Sequence, residues 1–121
     1  MSASYRVAIV DDDEAIRESL DSLFRSVGLP VAGFGSAEEF LRSPQMRNTR
    51  CLILDIQMAG MDGLELQEQL LAAGHDMSII FLTAHGDDDA RAQALAAGAR
   101  AFLPKPVDGD VLLATVASVL R

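Results

Sequence analysis

Short apolar runs alternate with longer amphipathic segments five times along the chain, and this alternation restricts the fold more than any other feature. Val7-Ala8-Ile9-Val10, Cys51-Leu52-Ile53-Leu54 and Ile79-Ile80-Phe81-Leu82 are apolar without interruption. A strand with one wet face would alternate polar and apolar residues. Unbroken apolar strands separated by single helices belong to a parallel sheet covered on both faces. The pattern predicts an α/β domain.

Residues 5–10 read as the first strand. In residues 12–27, Ile16, Leu20, Leu23, Phe24 and Val27 recur at spacings of three and four, one face of a helix. Gly28 closes that helix. Residues 30–34 form a short second strand near an edge, because Pro30 cannot donate to a ladder. Ser36 caps a helix over 37–42, with Glu39 three residues on completing a capping-box pattern. Residues 47–50 are a polar connection into the third strand, 51–55. A loop with Gly60 and Gly63 leads into a helix over 64–73, ended by Gly74. The fourth strand is 78–83. Residues 88–97 form a helix with a weak apolar face, 101–103 the fifth strand, and 108–120 a last helix burying Val111, Leu112, Val116 and Val119.

The 121 residues suffice for one core, and the chain 1–121 reads as a single domain. The balance of 10 basic and 18 acidic residues, net −8, argues against direct nucleic-acid binding or attachment to an anionic membrane. No apolar run approaches the roughly 20 residues that a membrane helix needs, and residues 1–6 lack a signal-peptide stretch. Cys51, the sole cysteine, sits inside an apolar run and reads as a core residue. Without an intrachain disulfide, the expected location is a reducing cytoplasm.

Five polar residues stand at the ends of these runs. Asp11 and Asp12 close the first, Asp55 the third, Thr83 the fourth, and Lys105 follows Ala101-Phe102-Leu103-Pro104. In a parallel sheet all five meet at the carboxyl edge, where open α/β sheets bind ligands. Three carboxylates, a hydroxyl and an ammonium there suit a divalent cation and a phosphoryl group.

These residues carry a family resemblance. The acid pair Asp11-Asp12, Asp55 with Met58 and Met61-Asp62-Gly63, Thr83-Ala84, and Lys105-Pro106 occur in order on the five-fold pattern. Over roughly residues 5–121 the chain resembles the receiver domains of two-component response regulators. Thr83-Ala84-His85-Gly86-Asp87 before an alanine-rich helix is most similar to the FixJ-like branch. The resemblance implies a (βα)5 doubly wound, flavodoxin-like (CheY-like) sheet in the order 2-1-3-4-5. It implies a phosphorylation-activated switch in which Asp55 accepts a phosphoryl group from a sensor histidine kinase or phosphotransfer protein, becoming 4-aspartylphosphate. Lys105 and Thr83 assist, the chain catalysing only its own phosphorylation and dephosphorylation. Mg²⁺ is the implied cofactor, bound by Asp12, Asp55 and the main-chain carbonyl of Gln57, with Asp11 acting through water. Without the ion, two carboxylates ~4 Å apart repel by about 4 kcal/mol at an effective dielectric of ~20. The Lys105–Pro106 bond is expected to be cis, aiming the ammonium at the phosphoryl group. Thr83 and Phe102 would form the switch, reshaping the face of residues 88–120 to control an output domain, a partner or a homodimer.

Some residues have plainer roles. Asp11 or Asp12 could cap the first helix, and Asp13 reads as first-turn charge complementing the helix dipole. Asp87-Asp88-Asp89 suits a helix start, and His75 a surface. His85, two after Thr83, is near the site by analogy only. The chain departs from the family pattern at Ala59, commonly Pro, which loosens the loop, at Val107, commonly aromatic, and at Gln57, which could affect water access. Two other functions compete. Asp11 and Asp13 mimic the Asp-x-Asp of haloacid-dehalogenase-type phosphohydrolases, although that reading leaves Asp55 unexplained. A non-phosphorylated docking receiver would not need the full set of site residues. An output domain is expected, if at all, on a longer parent protein.

Overall fold

The computed structural model describes residues 7–84 and 88–120. Residues 5–6 of the expected first strand, His85, Gly86 and Asp87 therefore lie outside the described residues. The elements are β1 (Val7–Val10), α1 (Glu14–Ser26), β2 (Val31–Phe34), α2 (Ala37–Arg42), a 3-10 turn (Pro44–Asn48), β3 (Cys51–Asp55), α3 (Gly63–Ala72), β4 (Ser78–Thr83), α4 (Asp88–Ala96), β5 (Ala101–Pro104) and α5 (Gly109–Leu120). The sheet order is β2-β1-β3-β4-β5, and every pairing is parallel.

Alternate side chains of each apolar run enter different cores, because a strand sends successive residues to opposite faces. Ala8, Val10, Leu52, Leu54, Ile79 and Phe81 pack with Phe40, Leu66, Leu70 and Ala94, the faces of α2, α3 and α4. Val7, Ile9, Cys51, Ile53, Ile80 and Leu82 pack with Leu20, Phe24, Leu112 and Val116, from α1 and α5. Burial pushes the Cys51 thiol up to about 12, so it behaves as a small apolar residue.

The helices differ from the sequence expectation mainly at their ends. Val27 follows α1 as its C-cap and is exposed, since the chain turns away there through Gly28 at φ 73°. Val111 is exposed in the first turn of α5, leaving Leu112 and Val116 as its buried residues. Residues 44–48 form the 3-10 turn, started by Ser43 as its N-cap, so the polar connection expected over 47–50 begins as regular structure at 47 and 48. The Glu39 carboxylate accepts from Gly35 N–H (3.0 Å), so the pattern opening α2 stops short of a capping box. Asp62 and Glu65 make a complete one at α3. His75 is half-buried beside Leu70 and Met77. In α4 only Ala90 and Ala94 are buried, and Leu95 faces outward.

Candidate phosphoryl-acceptor and cation site

Strand register assembles the site. Val10 pairs with Leu54, so Asp11 follows beside Asp55. Asp55 pairs with Leu82, and Thr83 pairs with Pro104, the residue before Lys105. The Lys105 N–H donates to the Thr83 carbonyl at 2.7 Å, fixing the β5 exit against β4. The Lys105–Pro106 peptide is cis.

The side chains converge as the register requires. Carboxylate oxygens of Asp11, Asp12 and Asp55 lie within 4.8 Å of one another, with Asp11 and Asp55 buried and Asp12 exposed. The Lys105 ammonium donates to Asp11 Oδ2 at 2.9 Å and stands 3.3 Å from Asp55 Oδ1. Burial disfavours the Asp55 carboxylate most, and the charge of Asp11 adds to this. Lys105 only partly offsets them, so the Asp55 pKa is raised. For Lys105, burial alone would lower the pKa. The hydrogen bond and charge of Asp11, with those of Asp55, outweigh it and leave the ammonium raised. The site is therefore an acidic cluster short of positive charge, with its lysine held charged.

Neighbouring residues hold the acids in place. Asp11 N–H donates to the Phe34 carbonyl (3.1 Å), Asp11 Oδ1 accepts from Asp13 N–H (2.9 Å), and the Arg17 guanidinium donates to the Asp11 carbonyl (2.7 Å). Asp13 caps α1, accepting from Ala15 N–H at 2.9 Å. The sequence reading gave Asp13 only dipole complementarity, but its φ −90° and ψ 110° make it the cap. It is absent from the three-carboxylate group, which removes the second acid of the Asp-x-Asp reading. Thr83 is buried at the edge, and Phe102 is half-buried with its ring 6.0 Å from that of Phe81. Gln57 is exposed two residues beyond Asp55.

Glu38 and Gln67 escaped the sequence reading, and Gly63, named there within a motif, was given no packing role. Gly63 donates its N–H to the Ile56 carbonyl at 2.8 Å, and a Cβ there would stand 2.3 Å from the Asp55 carbonyl oxygen. Glu38 accepts from Met61 N–H at 3.1 Å across the loop after Asp55. Its pKa is lowered by hydrogen bonding to its own backbone N–H and to that of Met61. Buried Gln67 donates its Nε2 to the Ala94 carbonyl at 3.0 Å, tying α3 to α4. Gly63 is itself part of a recognised motif, whereas Glu38 and Gln67 bond to partners 23 and 27 residues away, with no local signal.

The donors fit Mg²⁺, a hard cation that takes oxygen ligands and typically uses one or two carboxylates besides phosphate oxygens and water. Carboxylate oxygens this close, two of them in buried residues, are suited to sharing one ion.

Comparison with known proteins agrees with this geometry. Residues 7–117 match the model of the response regulator receiver domain. Nodulation protein W of Bradyrhizobium diazoefficiens is 45% identical over 116 residues, covering 95% of this chain and 51% of that protein. The transcriptional regulatory protein FixJ of Azorhizobium caulinodans is 40% identical over 120 residues, covering 99% and 57%. The response regulator StyR superposes with a TM-score of 0.88 at 44% identity, covering 98% of this chain and 60% of that one. A response regulator receiver protein from Pseudomonas putida gives 0.87 at 30% identity, covering 98% and 99%. The chain thus spans about half the length of the curated relatives it matches. Its sheet order and site place it among receiver domains of two-component systems, and the chain belongs to the response regulator receiver family.

Proposed function

We propose that the chain is a phosphorylation-driven switch whose acceptor is Asp55. The observation that carries this reading is the buried Asp55 carboxylate at the sheet edge, grouped with Asp11 and Asp12 and faced by Lys105. One Asp55 oxygen attacks the phosphorus of a phosphohistidine, and the phosphorus–nitrogen bond breaks with its electron pair passing to the imidazole. The product is an acyl phosphate. Such transfer depends mostly on positioning and charge. Bound Mg²⁺ would neutralise phosphoryl oxygens, held by Asp12, Asp55 and the Gln57 carbonyl, with Asp11 acting through water. Lys105 would move toward the new phosphoryl group, and the Thr83 hydroxyl would hydrogen-bond it. Phe102 would then turn toward the space that Thr83 leaves.

A histidine kinase or phosphotransfer protein is the donor this reading requires. An apolar groove of about 430 Å³ between α1 and the segment after β5 supports a protein donor. It is lined by Ile16, Leu20, Leu82, Pro106 and Val107, with Lys105 at its wall. The phosphorylated chain would act through α4, β5 and α5, on an output domain, a partner or a second copy. Among the described residues, no helix is long and apolar enough to cross a membrane.

Incubation with acetyl phosphate tests the reading. With Mg²⁺, mass spectrometry should find one phosphoryl group per chain, absent in Asp55→Asn and after chelation with EDTA. Continuous turnover of acetyl phosphate without an adduct would favour a hydrolase. No reaction, from acetyl phosphate or from a phosphohistidine donor, would favour a docking module.

A further inference from the structure

The loop joining β3 to α3 starts beside Asp55 and carries Gln57, so its shape decides whether both can serve one cation. Its far end is fixed by Gly63 N–H on the Ile56 carbonyl and by the Asp62–Glu65 capping box. Its middle is less constrained. Ala59 and Gly60 are exposed, and Gly60 takes φ +77°. Ala59 also keeps backbone freedom that a proline would remove. Across this middle lies a carboxylate from another element. Glu38 of α2 accepts from Met61 N–H at 3.1 Å, and its Oε2 stands 3.0 Å from where a Cβ on Gly60 would be. Among the described residues, this is the hydrogen bond that ties the loop's backbone to the side chain of a different element.

We propose that Glu38 is a positioning residue for the cation site, holding the Gly60–Met61 peptide so that the Gln57 carbonyl stays in reach of an ion on Asp55. The inference rests on the reading of Asp55 and Gln57 as cation ligands given above. Glu38 does not touch the ion. It reduces the number of loop conformations that binding would otherwise have to order. Groups bonded directly to metal ligands typically change metal affinity by about 10- to 100-fold, and Glu38, bonded four residues beyond Gln57, belongs at the lower end of that range.

Three chains test this: the unmodified one, E38A and E38Q. Hydrogen exchange at the Met61 amide is read without metal, and Mg²⁺ affinity by calorimetry. E38A should speed Met61 exchange and raise the Mg²⁺ Kd by about tenfold. Its phosphorylation by acetyl phosphate at saturating Mg²⁺ should match that of the unmodified chain. E38Q keeps one oxygen acceptor for Met61 N–H while losing the charge and the second acceptor oxygen, so its Met61 exchange and Kd should stay close to those of the unmodified chain. E38Q also answers for folding, because it retains α2 and the bond. Equal weakening in E38Q and E38A would assign the effect to charge and overturn the proposal, as would an unchanged Kd in E38A. An unmodified chain that binds no Mg²⁺ would overturn the reading of the site together with this inference, so the two failures are told apart.

Discussion

Lys105 is bound more closely to Asp11 than to Asp55: its ammonium lies 2.9 Å from Asp11 Oδ2 and 3.3 Å from Asp55 Oδ1. In this arrangement, therefore, the lysine serves chiefly as counter-ion to Asp11 rather than to Asp55, the proposed acceptor. A divalent cation arriving among the carboxylates would be repelled by that ammonium and would compete with it for the charge of the same three acids. Lys105→Ala should therefore tighten Mg²⁺ binding, by roughly tenfold. That is about 1.4 kcal/mol, a fraction of the ~4 kcal/mol that two charges 4 Å apart exchange at an effective dielectric of about 20. The same variant should lose the phosphorylation-induced change in α4 and β5, since no ammonium remains to follow the phosphoryl group. Calorimetry that shows weaker Mg²⁺ binding in Lys105→Ala would mean the lysine organises the acids rather than competing with the ion.

Asp12 and Asp13 are adjacent, both exposed, and placed for different tasks. Asp12→Ala removes a carboxylate from the three-acid group and should weaken Mg²⁺ binding substantially. Asp13→Ala removes the cap of α1, which should cost about 1 kcal/mol of stability while leaving Mg²⁺ affinity nearly unchanged. Thermal melts and Mg²⁺ titrations of the two variants should show this crossed pattern. Equal losses of Mg²⁺ affinity would contradict the assignment.

The raised pKa of Asp55 fixes the sign of a stability effect. Burial and Asp11 make the native carboxyl hold its proton more tightly than the unfolded chain does. Its contribution thus favours folding at low pH and is lost as pH rises from the ordinary carboxylate range through the raised value. At neutral pH the ionised group works against folding. In EDTA, Asp55→Asn should melt at a higher temperature than the unmodified chain at pH 7, and the gain should shrink on acidification. A variant that is less stable at pH 7 would show that Lys105 outweighs burial and Asp11.

Gly63 sets how closely α3 approaches Asp55. With a Cβ 2.3 Å from the Asp55 carbonyl oxygen, Gly63→Ala must push α3 and β3 apart, and backbone on both sides cannot yield as a flexible side chain would. The expected cost is about 3 kcal/mol or more, accompanied by weaker Mg²⁺ binding because the loop between Asp55 and Asp62 moves with α3. A fully stable Gly63→Ala with normal Mg²⁺ affinity would refute the close packing.

The strands and the acids were legible because each is announced locally. Continuous apolar runs imply two covered faces, and a polar residue ending such a run must lie at the sheet edge. Thus the sequence pattern alone brings Asp11, Asp12, Asp55, Thr83 and Lys105 together. Val27 and Val111 were not legible, since helical periodicity assigns a face but not how far the face continues beyond the last packed turn. Asp13 was read as helix charge because one dihedral pair separates a cap from a first-turn residue. The bonds of Glu38 to Met61 and of Gln67 to Ala94 depend on how α2 and α4 lie against their neighbours. No short window of sequence contains that relationship.

The bond from Gln67 to Ala94 bears on how a signal leaves the site. α4 buries only Ala90 and Ala94, and Leu95 is 41% exposed, so apolar packing anchors it weakly. The buried amide of Gln67 supplies a second anchor, at the turn of α4 where Ala94 enters the core. The Ala94 carbonyl also accepts from Ala99 N–H at 2.9 Å. Removing Gln67 therefore leaves that oxygen partnered and costs only the net worth of one hydrogen bond, about 1 kcal/mol. Gln67→Leu, close in volume and without a donor, should raise amide exchange across 88–97 by about fivefold relative to β1 and β3. Moving a two-state element from 1:99 to 99:1 takes about 5.5 kcal/mol, so this loss is about a fifth of what phosphorylation must supply. The variant should consequently show a smaller further change in exchange over 88–103 when phosphorylated or treated with beryllofluoride. Protection lost evenly over the whole sheet would mean that Gln67 supports global stability alone, and that α4 is not the element released.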